Sequence, residues 1–121
     1  GAITFTSTVT IGSTLAVTGT GYSTGITLTD ASSIDWNTDL GQTATVTLTD
    51  NRTMNAPTNL KNGAYYGLAV YQDATGGRTL TSDIKFAGGS KTLSTAASAI
   101  DTITIFYDGT NYLGTLVKGY A

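Results

Sequence analysis

The segment TATVTLT, residues 43–49, decides the fold class, because threonine alternates with an aliphatic residue along its whole length. In an extended chain Ala44, Val46 and Leu48 lie on one face and the threonines lie on the other. This period of two indicates a β-strand with one buried face, and the β-branched threonines favour the same conformation. No longer stretch of the chain shows the period of an amphipathic helix. The sequence therefore predicts an all-β protein.

Further strand and turn signals follow this segment. The run AYYGLAVYQ, residues 64–72, has aromatic or aliphatic side chains on both faces, which predicts a central strand that is buried on both sides. The glycine pair at residues 76–77 and the Asp-Gly pair at residues 108–109 each separate two strand-like runs and predict tight hairpins. We therefore expect residues 42–121 to form a compact antiparallel β-sandwich or barrel-like domain.

The N-terminal part of the chain shows the same alternation but has little core of its own. Residues 1–18, GAITFTSTVTIGSTLAVT, and the glycines after them predict short strands at residues 3–11, 14–18 and 25–29. An isolated ribbon of such strands is marginally stable in water. We therefore predict that residues 1–41 form an extended arm and connection that intertwines between the subunits of a homotrimer. The predicted trimer-interface residues are Ile3, Phe5, Val9, Ile11, Leu15 and Val17. The alternative, that these are edge strands of a monomeric sandwich, stays open.

Composition excludes several classes of function. The six Lys and Arg residues are scattered and the net charge is −2, which disfavours binding to nucleic acid. The chain has neither Cys nor His, so Ser-His-Asp and Cys-His catalysis and the common zinc sites are excluded. No apolar run approaches the length of a membrane span. We expect neither enzymatic activity nor a cofactor or metal.

Aspartate is the one remaining residue type for acid–base chemistry, since all eight acidic residues are Asp. Most of them stand beside Gly, Asn or Thr, where Asp caps the backbone of turns, and a turn role is the interpretation we favour. Asp30, Asp35 and Asp39 lie close together in the sequence, but their spacing does not match an EF-hand loop. Solvated turn residues are therefore the preferred interpretation of these three as well.

Aromatic residues are the remaining candidates for ligand recognition. Trp36 lies in the irregular segment that follows the arm, and Tyr65 begins the aromatic-rich strand. Both are candidate glycan contacts, because saccharide rings stack on aromatic faces. The alternative for the strand tyrosines, namely Tyr65, Tyr66, Tyr71 and Tyr107, is packing in the core or at a subunit interface.

Two parts of the chain resemble known proteins. Residues 4–19, TFTSTVTIGSTLAVTG, are similar to the short strand repeats in the stems of phage tail fibres. Residues 43–81 and 85–120 resemble a domain that recurs near the C-termini of bacteriophage tail-fibre and other virion-surface proteins. The motifs that carry this resemblance include Asn51-Arg52-Thr53 and Tyr107-Asp108-Gly109.

The resemblance implies a homotrimeric structural or receptor-contacting role in a virus particle, without catalytic residues. It applies equally to a tail fibre, a head fibre and a capsid-decoration protein. We therefore expect a structural protein at the virion surface, whose partners are copies of itself, other capsid or tail proteins and, in attachment, a host-surface glycan. The alternative function is that of a carbohydrate-binding adhesive module that recognises cell-surface glycans.

Overall fold

The structure, a computed structural model, describes residues 1–121 and contains nine β-strands in two sheets. The strands are β1 (Gly25–Thr27), β2 (Ser33–Ile34), β3 (Thr43–Leu48), β4 (Arg52–Met54), β5 (Tyr65–Gln72), β6 (Leu80–Thr81), β7 (Lys85–Phe86), β8 (Ile100–Tyr107) and β9 (Tyr112–Tyr120). A single 3₁₀ turn at Ala87–Gly89 is the one helical segment. The all-β prediction is confirmed.

The first six strands wind as three coils of a parallel β-solenoid. Strands β1, β3 and β5 are parallel neighbours in the larger sheet, and β2, β4 and β6 are parallel neighbours in the smaller one. The chain therefore crosses from one sheet to the other within each coil. The register places Ile26 opposite Ala44 and Ala44 opposite Leu68, so that apolar side chains of successive coils stack inside the solenoid.

The last two long strands extend the larger sheet in the antiparallel sense. Strand β8 pairs antiparallel with β5 and with β9, and the six-stranded order is β1-β3-β5-β8-β9-β7. The predicted hairpin at Asp108-Gly109 joins β8 to β9, and Gly109 has the positive φ of 96° that such a turn requires. The predicted antiparallel pairing thus holds for β5, β8 and β9. It is wrong for the solenoid coils, because a corner, rather than a hairpin, follows each of their strands in the larger sheet.

The glycine pair at residues 76–77 does not form the predicted hairpin. The strands before and after it, β5 and β6, lie in different sheets. Both glycines have positive φ, and a Cβ at Gly76 would lie 2.5 Å from the carbonyl oxygen of Thr95. Gly77 also donates its N–H to that oxygen at 2.9 Å. The pair therefore forms a solenoid corner that packs closely against the loop before β8.

The core lies between the two sheets and contains residues of every coil. Its buried apolar members are Leu28, Ile34, Trp36, Ala44, Val46, Leu48, Met54, Tyr66, Leu68, Val70, Leu80, Ile84, Leu93, Ile103 and Ile105. Strand β5 buries one face only, since Tyr65 on the other face is 61% exposed and Tyr71 is half-buried. The prediction that β5 is buried on both sides is therefore wrong for the single chain.

The compact part of the chain begins at Gly25, where β1 pairs with β3. The predicted boundary between residues 41 and 42 is thus too late, because the first coil already supplies Ile34 and Trp36 to the core. Residues 1–24 form no strand and are exposed throughout. The strands predicted at residues 3–11 and 14–18 do not form in the single chain, because no neighbouring strand pairs with them.

An ion pair joins the first corner of the solenoid to the second. The guanidinium of Arg52 donates from Nε and an Nη to both carboxylate oxygens of Asp30, at 2.8 and 2.9 Å, and the Thr49 hydroxyl donates to the same carboxylate. These bonds, chiefly those from Arg52, lower the pKa of Asp30 from 3.8 to about 2. Because the two side chains are 19% and 15% exposed, the pair is largely shielded from water.

We predict that Asp30→Asn lowers the free energy of unfolding by about 1–3 kcal/mol at neutral pH, since it removes charge-assisted hydrogen bonds. A carboxyl with a depressed pKa stabilises the fold above its unfolded pKa, and this stabilisation is lost as the pH falls from 3.8 towards about 2. Urea unfolding followed by Trp36 fluorescence should therefore show a steeper loss of stability over that range in the wild type than in the variant. The control is Asp50→Asn, because Asp50 lies 3.9 Å from Arg52 and is 68% exposed. Equal pH slopes in wild type and Asp30→Asn would contradict the prediction.

Candidate functional site

Two buried polar side chains that the sequence did not indicate hold the loops around β5 and β8. The amide of Gln72 donates to the carbonyls of Arg78 and Ser94 at 2.8 and 2.9 Å, and its oxygen accepts from the Arg78 N–H at 2.8 Å. The carboxylate of Asp101, which is 2% exposed, accepts from the N–H groups of Ser94 and Gly119 at 2.6 and 2.8 Å. These atoms are therefore engaged in holding the fold together.

Two aspartates have the turn-capping geometry that the sequence predicts. Asp73 accepts from the Gly76 N–H at 2.8 Å and pairs with Arg78 at 2.8 Å, and Arg78 is the main cause of its lowered pKa. Asp108 accepts from the side chain and the backbone N–H of Asn111, which lower its pKa in that order. Both carboxylates are therefore part of turns.

The three neighbouring aspartates of the first coil have different partners. Asp30 holds Arg52, Asp35 accepts from the Asn55 amide at 2.8 Å, and Asp39 pairs with Lys61 at 3.2 Å. The chain contains no group of three or more side chains placed to bind a metal ion. Each of the three carboxylates thus contributes to a separate local contact.

Trp36, one of the two candidate glycan contacts, is a core residue. Its side chain is 1% exposed, its indole N–H donates to the Gly41 carbonyl at 2.9 Å, and its ring packs edge-on against Tyr66 at 6.2 Å between centroids. No face of the indole is accessible to a saccharide. This burial corrects the expectation that Trp36 contacts a ligand.

Tyr65, the other candidate, is at the surface. Its ring is 61% exposed and lies against Phe106 in a tilted contact with centroids 4.9 Å apart. The other strand tyrosines are packed more deeply: Tyr66 is in the core, and Tyr107 stacks on Tyr112 at 5.5 Å. Among the predicted ligand contacts, only Tyr65 offers a ring face to solvent.

The residues predicted to lie at the trimer interface are all exposed in the single chain. The exposed fractions are 83% for Ile3, 67% for Phe5, 49% for Val9, 49% for Ile11, 68% for Leu15 and 56% for Val17. We call residues 1–24 the arm. Its apolar side chains have no partner within the chain that would remove them from water.

A second exposed surface, which we call the open face, is the side of the larger sheet that turns away from the core. It is formed by the odd-numbered residues of β1, β3 and β5, the even-numbered residues of β8, residues 113, 115, 117 and 120 of β9, and Lys85 of β7 at the edge. Its middle is a shallow groove of about 590 Å³ over Gly67 and Ala69. Aromatic and aliphatic residues form a ridge on each side of the groove, one of them made of Tyr65, Phe106 and Leu113.

The sequence signal of the open face is the second uncharged side of β5, which the alternation pattern alone assigns to the core. In β5 the residues that alternate with the buried Leu68 and Val70 include Tyr65, Ala69 and Tyr71, none of which is charged. In a strand with one face in water, apolar residues that point into the core usually alternate with polar or charged residues that point into solvent. Uncharged residues on both sides of β5 therefore indicate that its outward side is also covered, by another part of the chain or by a partner.

Comparison with protein families identifies the domain. Residues 36–112, from Trp36 of the first coil to the start of β9, match the family described as "Putative phage tail fibre C-terminal domain". The chain belongs to this family. The match covers more than half of the chain and confirms the resemblance seen in its sequence motifs. The tail-fibre domain is thus a structural component of a bacteriophage virion.

The other comparisons add no relative, since no curated protein and no solved structure matches the tail-fibre domain. The three-residue turn at Ala87–Gly89 is the one helical segment, so no helix is present that could cross a membrane. The matched segment contains most of the solenoid and the hairpin partner β8 but none of the arm.

We predict that Trp36→Ala lowers the free energy of unfolding by about 3–5 kcal/mol, because it leaves a cavity between the sheets. The milder variant Trp36→Phe should cost about 1–3 kcal/mol, since the Gly41 carbonyl loses its buried donor. Denaturant unfolding followed by circular dichroism measures both changes. Tyr65→Ala is the surface control and should have the smaller effect; an equal loss of stability would contradict the core position of Trp36.

Proposed function

We propose that the tail-fibre domain is a homotrimeric module of a phage fibre that assembles through the arm. The observation that carries this proposal is the exposure of the six alternating apolar residues of the arm, at 49–83%, in a segment without strand partners. Identical arms from three copies would pair their backbones and turn these side chains towards a shared interior. Closed cyclic symmetry permits such an arrangement around one axis, and that axis would coincide with the axis of the fibre.

Family membership supports a tail location for this module over a role in capsid decoration. At the virion surface a trimeric fibre module extends the attachment apparatus and brings its outer surface to the host cell. We infer that the module acts through assembly and contact and carries out no catalysis. The engagement of Asp30, Asp73 and Asp101 in ion pairs and backbone hydrogen bonds supports this inference.

We predict that Val9→Asp weakens the trimer by at least about tenfold in its dissociation constant, because it would place a carboxylate in an apolar interface. The compact part should be unaffected, since the arm contributes no residue to its core. Sedimentation velocity measures the assembly state, and circular dichroism with urea unfolding measures the fold. Thr8→Asp is the matched control, because Thr8 belongs to the alternate, polar set of arm residues.

Two results would contradict this proposal. If the wild-type chain is a well-folded monomer at micromolar concentration, the module does not assemble by itself. If the wild type is a trimer and Val9→Asp leaves it unchanged, the arm is not the interface.

The second candidate function is that of a monomeric carbohydrate-binding module. The exposed Tyr65 ring beside Phe106 favours it, because this pair lies next to a groove lined by threonine hydroxyls. The candidate predicts that a monomeric wild type binds a cell-surface glycan on an array and that Tyr65→Ala reduces binding by at least about tenfold. Thr53→Ala on the smaller sheet is the control and should bind normally. A trimeric wild type without glycan binding would exclude this candidate.

A further inference from the structure

We infer that the open face is a second interface between copies of this chain, on which the compact parts of the fibre pack against one another. The inference rests on the proposed self-assembly of the module, but it concerns residues outside the arm. It therefore specifies which surface of the compact part takes part in assembly.

The open face carries very little charge. Of the eight acidic and six basic residues of the chain, Lys85 alone belongs to it, at the edge strand β7, where it is paired with Leu113. The rest of the face exposes Tyr65, Leu113, Val117 and Tyr120 at 61%, 42%, 47% and 49%. The cores of protein interfaces are depleted of charged residues and enriched in aromatic ones, and the apolar ridges on the two sides of the threonine-lined groove have this composition.

The outer side of the smaller sheet provides the contrast within the same molecule. Its outward row across the three strands consists of Ser33, Thr53 and Thr81, which are exposed and hydrophilic. The neighbouring outward residues include Asp35, whose carboxylate accepts from an amide at the surface. This outward row contains no aromatic or aliphatic side chain, whereas the open face exposes Tyr65, Leu113, Val117 and Tyr120 beside its threonines.

The open face also has the size of a substantial part of an interface. The sheet has six strands and β5 has eight residues. With strands about 4.8 Å apart and a rise of about 3.3 Å per residue, the face covers roughly 600 Å² in projection. Specific complexes bury roughly 800 Å² of accessible surface on each partner. Because accessible surface exceeds projected area, the open face together with the arm reaches the size of a stable interface.

The position of the arm identifies a second copy of the chain as the partner of the open face. The arm ends where β1 begins, and β1 is the outermost strand of the same sheet. Tyr22, close to this junction, is 86% exposed. The arm therefore leads directly into the edge of the open face, so that copies joined through their arms bring their open faces close together. The ridge that contains Tyr65 on one copy can enter the groove over Gly67 on the next.

The absence of cysteine makes accessibility measurable with single substitutions in the full chain. Thr104 lies in the middle of the open face, opposite Gly67 and Thr115, and Thr53 lies in the middle of the smaller sheet's outward row. Both threonines are exposed in the single chain. In the assembled protein, Thr104→Cys should react with a maleimide at least about tenfold more slowly than Thr53→Cys. After dilution to the monomer the two rates should become equal.

A charge at the same positions gives an independent measurement. Thr104→Arg should raise the dissociation constant of the assembly at least about tenfold, because the guanidinium would be buried without a partner, while Thr53→Arg should leave it unchanged. Sedimentation velocity measures assembly, and circular dichroism verifies the fold. If Thr104→Arg fails to fold, the labelling rates of the cysteine variants still show whether the open face is covered in the assembly.

The outcomes separate this inference from the proposed function. If Val9→Asp dissociates the protein while Thr104→Cys labels as fast as Thr53→Cys in the assembled state, assembly through the arm stands and the open-face interface is overturned. If a glycan, rather than assembly, protects Thr104→Cys, the face is a saccharide site and the inference is likewise overturned. A monomeric wild type overturns both proposals.

Discussion

The stacking of apolar side chains between parallel coils is the interaction on which the rest of the structure depends. Ile26, Ala44 and Leu68 occupy matching positions in β1, β3 and β5 and pack inside the solenoid. In a solenoid each coil contacts only its neighbours, so each requires the next one to bury its apolar face. Here the third coil is covered by the β8–β9 hairpin, whose strand β8 continues the larger sheet beside β5. The first coil has no covering strand, and the arm leaves the compact part at this end.

The same stacking determines which surfaces remain available. A side chain in a strand points either into the solenoid or away from it. The inward residues of β3, β5 and β8 are used by the core, so contacts of these strands with another molecule must use their outward residues, the strand edges or the corners. The corners are occupied by ion pairs and caps such as Asp30–Arg52 and Asp73–Arg78. The open face, with its apolar ridges and threonine-lined groove, and the apolar side chains of the arm are the large surfaces that this arrangement leaves without a partner.

The sequence predicts those parts of the fold that depend on local pattern. Alternation identifies β3 and β5, and Asp108-Gly109 identifies the hairpin, because these signals need only a few adjacent residues. Which sheet a strand joins depends on contacts between distant residues, so local pattern alone predicts a hairpin at the glycine pair of residues 76–77, where the structure has a corner. The segment TLTD, which occurs at residues 27–30 and again at residues 47–50, was an unused signal of repeated coils.

The burial of Trp36 shows that the sequence alone does not predict which aromatic residues are accessible to a ligand. A single tryptophan among polar turn residues resembles a ligand contact, yet the coil returns the following residues to the core and Gly41 accepts its indole hydrogen bond. The exposed Tyr65, in contrast, lies in a regular strand. Whether a residue lies in a loop or in a strand is therefore a poor guide to its accessibility, because in a solenoid accessibility depends on which side of the sheet the side chain occupies.

The low charge of the chain also follows from the solenoid. With 12% charged residues, placed mainly at corners and edges, the faces of the sheets remain apolar or hydroxylated. Because such faces carry little charge, electrostatic repulsion between copies of the chain does not oppose their association.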